Sequence, residues 1–329
     1  MTDVLKILSI DGGGIRGVIP ATILSEIEQR TGARISDLFD LIAGTSTGGI
    51  LALGLVKPGE DGRTQFAASD LAELYEKEGN RIFERSLWHR IIAVDNLLDE
   101  KYPADGLEAV LEAYFGEARL RDAVTEVLVP SYELESREPW FFARHKARAD
   151  AQNDFPMRFV ARATSAAPTF FEPLELTTTK PHGGLVDGGV YANNPTMCGY
   201  VEAKQLHPDA DDVLVVSLGT GQHTRPIHYG EARDWGLALW AKPILNVVFD
   251  GVSDTVDHQM KILCRDSDEG DPRYYRFQTE LDRGSDDMDN ATATNISVLK
   301  EKAHEMIDAQ NTKLDTLCRE LRVGVGSPA

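Results

Sequence analysis

Residues Gly44-Thr45-Ser46-Thr47-Gly48 form a GxSxG pentapeptide between two apolar runs, Leu38 to Ala43 before it and Ile50 to Leu55 after Gly49. That order predicts a strand, a tight turn and a helix, with Ser46 at the turn. Such a corner holds the serine in a strained backbone conformation, and side chains two residues to either side would collide, which accounts for the bracketing glycines. A chain that turns from strand to helix in this way is committed to a sheet with crossover helices. The plainer reading of the same residues is a helix N-terminus that Thr45 or Ser46 merely caps.

A second glycine segment precedes the first. Val4 to Ile10 is a nearly continuous apolar run that ends directly at Asp11-Gly12-Gly13-Gly14-Ile15-Arg16-Gly17, the pattern of a buried strand delivering a glycine loop. Pro20 suits the first turn of a helix, and Ile23, Leu24 and Ile27 recur at helical spacing until Gly32. The chain therefore opens as strand-loop-helix and strand-elbow-helix, an α/β fold with a mainly parallel sheet. Further along, Ser69 or Asp70 can cap a helix to about Glu78, and Asp105 another from Leu107 to Phe115. Glu126 to Leu134 and Trp140 to Arg144 read as paired strands, and Met157 to Ala167 as a helix stopped before Pro168. Gly183 to Gly189 is a very short strand between glycine pairs with Asp187 at its end. Asn193-Asn194-Pro195 starts a helix to Leu206, and Val213 to Leu218 is the clearest strand, closed by Gly219-Thr220-Gly221. A mostly helical stretch from Glu231 to about Arg265, a strand at Tyr274 to Phe277 and a final amphipathic helix from Ile296 to Leu321 complete the chain. With no internal repeat and no linker, residues 1–329 are expected to form a single domain, its motif-bearing core at about 4–221 and its mainly helical part at about 224–329.

Composition narrows the partners. The formal net charge of −19 argues against nucleic acid, which requires basic patches, and against docking to anionic membranes by electrostatics alone. No apolar stretch approaches the roughly 18 residues that would span a bilayer. The opening residues Met1-Thr2-Asp3-Val4 lack the features of a secretory signal. Cys198, Cys264 and Cys318 have neither metal nor disulfide spacing and fit a reducing compartment. The expectation is a cytoplasmic protein that meets membranes peripherally, through apolar side chains exposed in Leu87 to Ile92 or in Trp235 to Phe249.

A serine hydroxyl becomes a nucleophile only when a base takes its proton, and the tetrahedral intermediate needs hydrogen-bond donors at its oxyanion. Backbone N–H groups of Gly12, Gly13 and Gly14 can approach a substrate oxygen closely, and Thr47, directly after the serine, can supply another. For the base, a Ser-Asp-His order points to His207, His223, His228, His258 or His304, none of them in a constrained setting. Asp187 is held at a strand end between glycines. To act directly on Ser46 its pKa must rise from near 4 to about 7, on the order of 4 kcal/mol of desolvation, which requires a water-poor site. The bland alternative is a turn aspartate. Gly12 to Gly17 also matches GxGxxG, the dinucleotide fingerprint, but Ala33 to Asp40 reads as helical where that fingerprint needs a strand ending in an acidic residue.

Taken together, Asp11-Gly12-Gly13-Gly14-Ile15-Arg16-Gly17, Gly44-Thr45-Ser46-Thr47-Gly48 and Asp187-Gly188-Gly189 resemble the patatin-like phospholipase family of lipid acyl hydrolases. Ala161-Arg162-Ala163-Thr164-Ser165-Ala166-Ala167-Pro168 and Val190-Tyr191-Ala192-Asn193-Asn194-Pro195 extend the resemblance, which runs in order from about residue 4 to 221. It implies a three-layer α/β/α fold, Ser46 as nucleophile, Asp187 as its direct base and an oxyanion hole from Gly12, Gly13 and Gly14. Arg16 would order the loop and contact substrate, and Gly44 and Gly48 would support the elbow. The reaction expected is hydrolysis of acyl esters of phospholipids or galactolipids through an acyl-enzyme, with no metal or organic cofactor. The alternatives are an α/β-hydrolase esterase with a histidine base, and a phospholipase effector switched on by a nucleotide or a partner protein.

Overall fold

The computed structural model describes residues 4–83, 102–176, 183–224, 226–240, 243–267, 270–281 and 287–323. Three strands stand at its centre: β1 (Leu5–Ile10), β2 (Leu41–Gly44) and β7 (Val213–Leu218). They run parallel, with Ile10 opposite both Gly44 and Leu218, so the loops that follow them share one end of the sheet. Strand β9 (Tyr274–Phe277) extends the parallel run beyond β7. On the far side, β3 (Glu126–Glu133) joins β2 in parallel and pairs antiparallel with both β4 (Glu138–Ala143) and β6 (Gly184–Asp187). The short β5 (Leu174–Glu175) flanks β6 antiparallel. A separate parallel pair, β8 (Gln222–His223) with β10 (Glu280–Leu281), lies outside this sheet.

The central strands are buried along their whole length, which is why they read as apolar runs rather than alternations. Their side chains divide by parity. Leu8, Ile10, Ile42, Val127, Val129, Leu214, Val216 and Tyr275 enter one hydrophobic cluster, whereas Leu5, Ile7, Leu41, Ala43, Leu128, Val213 and Val215 enter another. The first face is covered by α1 (Val18–Thr31), α2 (Thr47–Val56), α3 (Ala68–Ile82), α4 (Asp105–Phe115), α5 (Met157–Thr164), α8 (Ala293–Ala309) and α9 (Asn311–Arg322). The second is covered by α6 (Thr196–Leu206) and α7 (Pro243–Leu263). The architecture is the expected three-layer α/β/α arrangement with a mainly parallel sheet. Every residue of α2 is buried, so the helix that follows the elbow is a central one rather than an amphipathic surface helix.

Local chemistry departs from the sequence reading at three places. Helix α3 begins at Ala68; neither Ser69 nor Asp70 is its N-cap, and Asp70 instead sits one turn in, its Oδ2 accepting the N–H of Ala67 at 2.8 Å. Asp105 is the first residue of α4 and makes no capping bond there, Ala104 being the N-cap. The single terminal helix expected from Ile296 to Leu321 is two, α8 and α9, separated at Gln310. Residues Leu87 to Ile92, one of the two segments expected at a membrane, lie outside the described residues. No helix among the described residues is long and apolar enough to cross a bilayer.

Candidate active site

Strand β3 sets the geometry. Its residues 126–128 pair with β2, and its residues 131–133 pair with β6. Strand β4 occupies the opposite edge of β3 at 128 and again at 131–133, so β2 and β6 share one edge, in tandem. They run toward each other along it. Ala43 stands opposite Leu128 and Asp187 opposite Ser131, which brings the end of β2, and the Ser46 elbow beyond it, against the end of β6.

Ser46 adopts φ 56° and ψ −124°, in a region that costs a side-chain-bearing residue on the order of 1–3 kcal/mol. It occupies the N-cap position of α2 but makes no side-chain capping bond, so its hydroxyl is not spent on the helix. The backbone is held from outside: Ser46 N–H donates to Thr164 Oγ1 at 3.0 Å, and Thr164 in turn donates to the Pro130 carbonyl at 2.6 Å. A Cβ on Gly44 would fall on the carbonyl of Gly48, and one on Gly48 would overlap the carbonyls of Ile10 and Asp11. Here the bracketing glycines are required by close approach, since each backbone passes directly over another.

The loop after β1 lies beside this elbow. Gly12 N–H donates to the Asn193 carbonyl at 2.9 Å, and Gly12 does not line the cavity. This corrects the expectation for Gly12, whose donor is consumed within the protein. Gly13, Gly14 and Thr47 do line the cavity, and among the described residues their N–H groups have no hydrogen-bond partner. Gly14 has φ 59°, and a Cβ there would overlap the carbonyl of Met288, which accepts the N–H of Ile15 at 2.8 Å. The loop is fastened at three further points. Thr220 Oγ1 donates to the Gly12 carbonyl at 2.7 Å, Arg16 Nε donates to the Gly13 carbonyl at 3.2 Å, and Arg276 forms a two-pronged ion pair with Asp11. Arg16 is thus bonded back onto the glycine loop. Its side chain is buried, with its Nη1 toward the Gly221 carbonyl, and it is not among the residues lining the cavity.

Asp187 is 1% exposed. Its Oδ1 accepts the N–H of Gly189 at 2.7 Å, and the nearby Ser46 hydroxyl favours its ionised form. Burial pushes its pKa from 3.8 to about 7, against the opposing pull of the Ser46 hydroxyl and the Gly189 N–H. The group is a carboxyl at the midpoint of its titration near neutrality, next to a serine hydroxyl. That is the environment a carboxylate base needs.

The elbow and Asp187 open into a cavity of about 60 Å³ whose wall is mostly apolar: Ile50, Leu74, Phe83, Phe170, Phe171 and Phe249 are among its residues. None of the described residues lining it is a histidine. His207, His228, His258 and His304 are exposed, and only the backbone of His223, in β8, is described. The dinucleotide reading fails on the same ground as in the sequence, because β2 ends in Gly44 and the elbow rather than in an acidic residue.

Two supports were invisible to sequence reasoning. Arg276, from the middle of β9, reaches Asp11 across the sheet; its only sequence signal is a charge inside an otherwise aromatic strand. Asn193, which lines the cavity, is held by Ser253 of α7, Nδ2 to Oγ at 3.1 Å, and nothing in the sequence around Ser253 marks it.

The family model described as patatin-like phospholipase matches residues 8–197, which include the glycine loop, the elbow, Thr164, Asp187 and Asn193 and stop short of Thr220 and Arg276. Patatin-like protein 4 of Arabidopsis thaliana is 31% identical over 97% of this chain and 87% of its own length. Patatin-like protein 1 of Oryza sativa subsp. indica is 34% identical over 90% of this chain and 79% of its own. A relative named probable inactive patatin-3-Kuras 1, from Solanum tuberosum, is 30% identical over 93% of this chain and 87% of its own.

Proposed function

The chain belongs to the patatin-like phospholipase family, and on that premise we propose that it is a lipid acyl hydrolase working through Ser46 and Asp187. The observation that carries the reading is the buried Asp187 carboxyl, its pKa raised to about 7, set in one cavity wall with a serine at a strained elbow whose hydroxyl favours its ionised form. Ser46 Oγ attacks the ester carbonyl while its proton passes to Asp187. The oxyanion is received by the N–H groups of Gly13, Gly14 and Thr47, each worth about 3 kcal/mol in the barrier. Asp187 protonates the departing alcohol, then takes a proton from the water that hydrolyses the acyl-enzyme. The apolar wall of the cavity suits an acyl chain. The deciding experiment measures Ser46→Ala and Asp187→Asn on p-nitrophenyl esters and on phospholipid vesicles. Each variant is expected to lose about 10⁴-fold or more, the scale of removing a nucleophile or its base; retained activity in either overturns the dyad.

The substrate must be reached in a membrane by a chain of net charge −19. We place that contact at the start of α7 and the segment before it. From Trp235 to Phe249 the only charged residue is Lys242. Leu239, Ile244 and Val247 are 60%, 43% and 44% exposed, and Phe249 of the same helix lies in the cavity wall. Apolar insertion rather than charge attraction is the mode this surface supports.

A further inference from the structure

One cavity residue has no task in the reaction as written. Ser165 is 7% exposed, lines the cavity, and its hydroxyl has no hydrogen-bond partner among the described residues. A buried hydroxyl without a partner is destabilising, and native folds keep few of them. Its position on the chain is informative. The preceding residue, Thr164, accepts the N–H of Ser46 at 3.0 Å, and the carbonyl of the following residue, Ala166, accepts the N–H of Asp187 at 3.0 Å. Ser165 thus lies between two residues that are each hydrogen-bonded to one of the pair, Thr164 to Ser46 and Ala166 to Asp187. Other polar side chains of the cavity are engaged: Thr47 Oγ1 with Tyr75 Oη at 2.5 Å, Asn193 with Ser253, and Asp187 with the N–H of Gly189.

We infer that Ser165 is a catalytic residue of the second half-reaction, its hydroxyl holding the water that hydrolyses the acyl-enzyme; the inference rests on the Ser46–Asp187 reading above. The oxyanion already has three backbone donors in Gly13, Gly14 and Thr47. The water has only Asp187, and a localised water needs at least two polar partners. In this step the water oxygen bonds to the acyl carbon on Ser46, and one of its protons passes to Asp187. Ser165 Oγ accepts a hydrogen bond from the other proton, which is not transferred. Collapse of the intermediate breaks the bond between the acyl carbon and Ser46 Oγ, Asp187 returns its proton to that oxygen, and a carboxylic acid leaves. Ser165 therefore acts on deacylation and leaves acylation alone.

The test is rapid mixing of wild type and Ser165→Ala with p-nitrophenyl butyrate, together with intact-protein mass spectrometry and thermal unfolding. The variant is expected to release a stoichiometric burst of p-nitrophenol at close to the wild-type acylation rate. Its steady turnover should then be about 100-fold slower or more, the scale of losing one oriented hydrogen bond in a transition state, with a butyryl adduct accumulating on Ser46. Because the change removes an orphaned hydroxyl, its unfolding midpoint should equal or exceed that of wild type. Unchanged turnover, a burst slowed in parallel with turnover, or an unfolding midpoint that falls along with activity would each overturn the role of Ser165. If instead Ser46→Ala retains turnover and no adduct forms on Ser46 in any variant, the dyad reading itself has failed and this inference falls with it.

Discussion

Arg276 closes on Asp11 with two hydrogen bonds, Nη1 to Oδ1 at 3.0 Å and Nη2 to Oδ2 at 2.6 Å, and both side chains are largely or wholly removed from solvent. The pair ties a strand that lies outside the family-matched region to the first residue of the glycine loop. Breaking one side of a buried pair strands the other charge, which costs about 3–5 kcal/mol, whereas replacing both members is often nearly neutral. Arg276→Met is therefore expected to lower stability by about that amount, and the double variant Asp11→Asn/Arg276→Met to recover much of it. Urea unfolding of the single and double variants measures both.

The pH dependence follows from Asp187. The base must be ionised, so kcat/KM should rise with pH through about 7 and level off above it. Stability runs the other way. The pKa of Asp187 is raised on folding from 3.8 to about 7, so between those values the folded chain holds the proton that the unfolded chain has lost. Its contribution is fully present below pH 4 and lost as pH rises through 7, about 4 kcal/mol in all. Asp187→Asn should thus be inactive yet more resistant to urea than wild type at pH 8, with the advantage gone at pH 4. A pH-independent difference between the two would contradict the buried, neutral carboxyl.

Thr164 is a lever on the nucleophile from behind. Thr164→Val keeps the shape and removes the acceptor for Ser46 N–H, leaving a backbone donor unpaired at a cost of about 1–3 kcal/mol. Because Ser46 is then free to leave its strained φ, kcat should fall while KM changes little. A rise in KM with kcat unchanged would show that Thr164 acts on substrate binding instead.

Membrane contact separates from chemistry. Ile244→Asp and Val247→Asp change exposed positions on α7. Each is expected to cut hydrolysis of phospholipid vesicles about tenfold, since burying a carboxylate in lipid costs several kcal/mol, and to leave p-nitrophenyl butyrate hydrolysis unaffected. Vesicle flotation and the two assays run side by side distinguish this from a general loss of activity.

The strands that carry the glycine loop were legible because a strand buried on both faces writes itself as an apolar run, and β1 and β7 fall at or close to their expected places. The elbow was legible because its glycines answer a steric demand that only glycine meets. What could not be read was who holds whom. Asp11 and Arg276 are 265 residues apart, and nothing local to either announces the other. Gly12 shows the same limit in reverse: three consecutive glycines look equivalent, and only the carbonyl of Asn193 removes the first from the set of free donors. Helix starts failed for a related reason, since Asp70 and Asp105 carry good capping side chains but the chain enters each helix one to three residues earlier than their positions suggest.

Strand β3 works as a ruler. Ser46 and Asp187 come from strands that end against each other on its edge, so their separation is fixed by the residues between Leu128 and Ser131. Proline in a central strand withholds one ladder hydrogen bond, and Pro130 falls in the gap where neither β2 nor β6 asks for one. Deleting one residue there would slide the two ends by about 3.3 Å and reverse which face each following side chain addresses. Insertions that a surface loop absorbs would here uncouple the base from its nucleophile, which makes this short stretch, remote from both in sequence, the least length-tolerant part of the molecule.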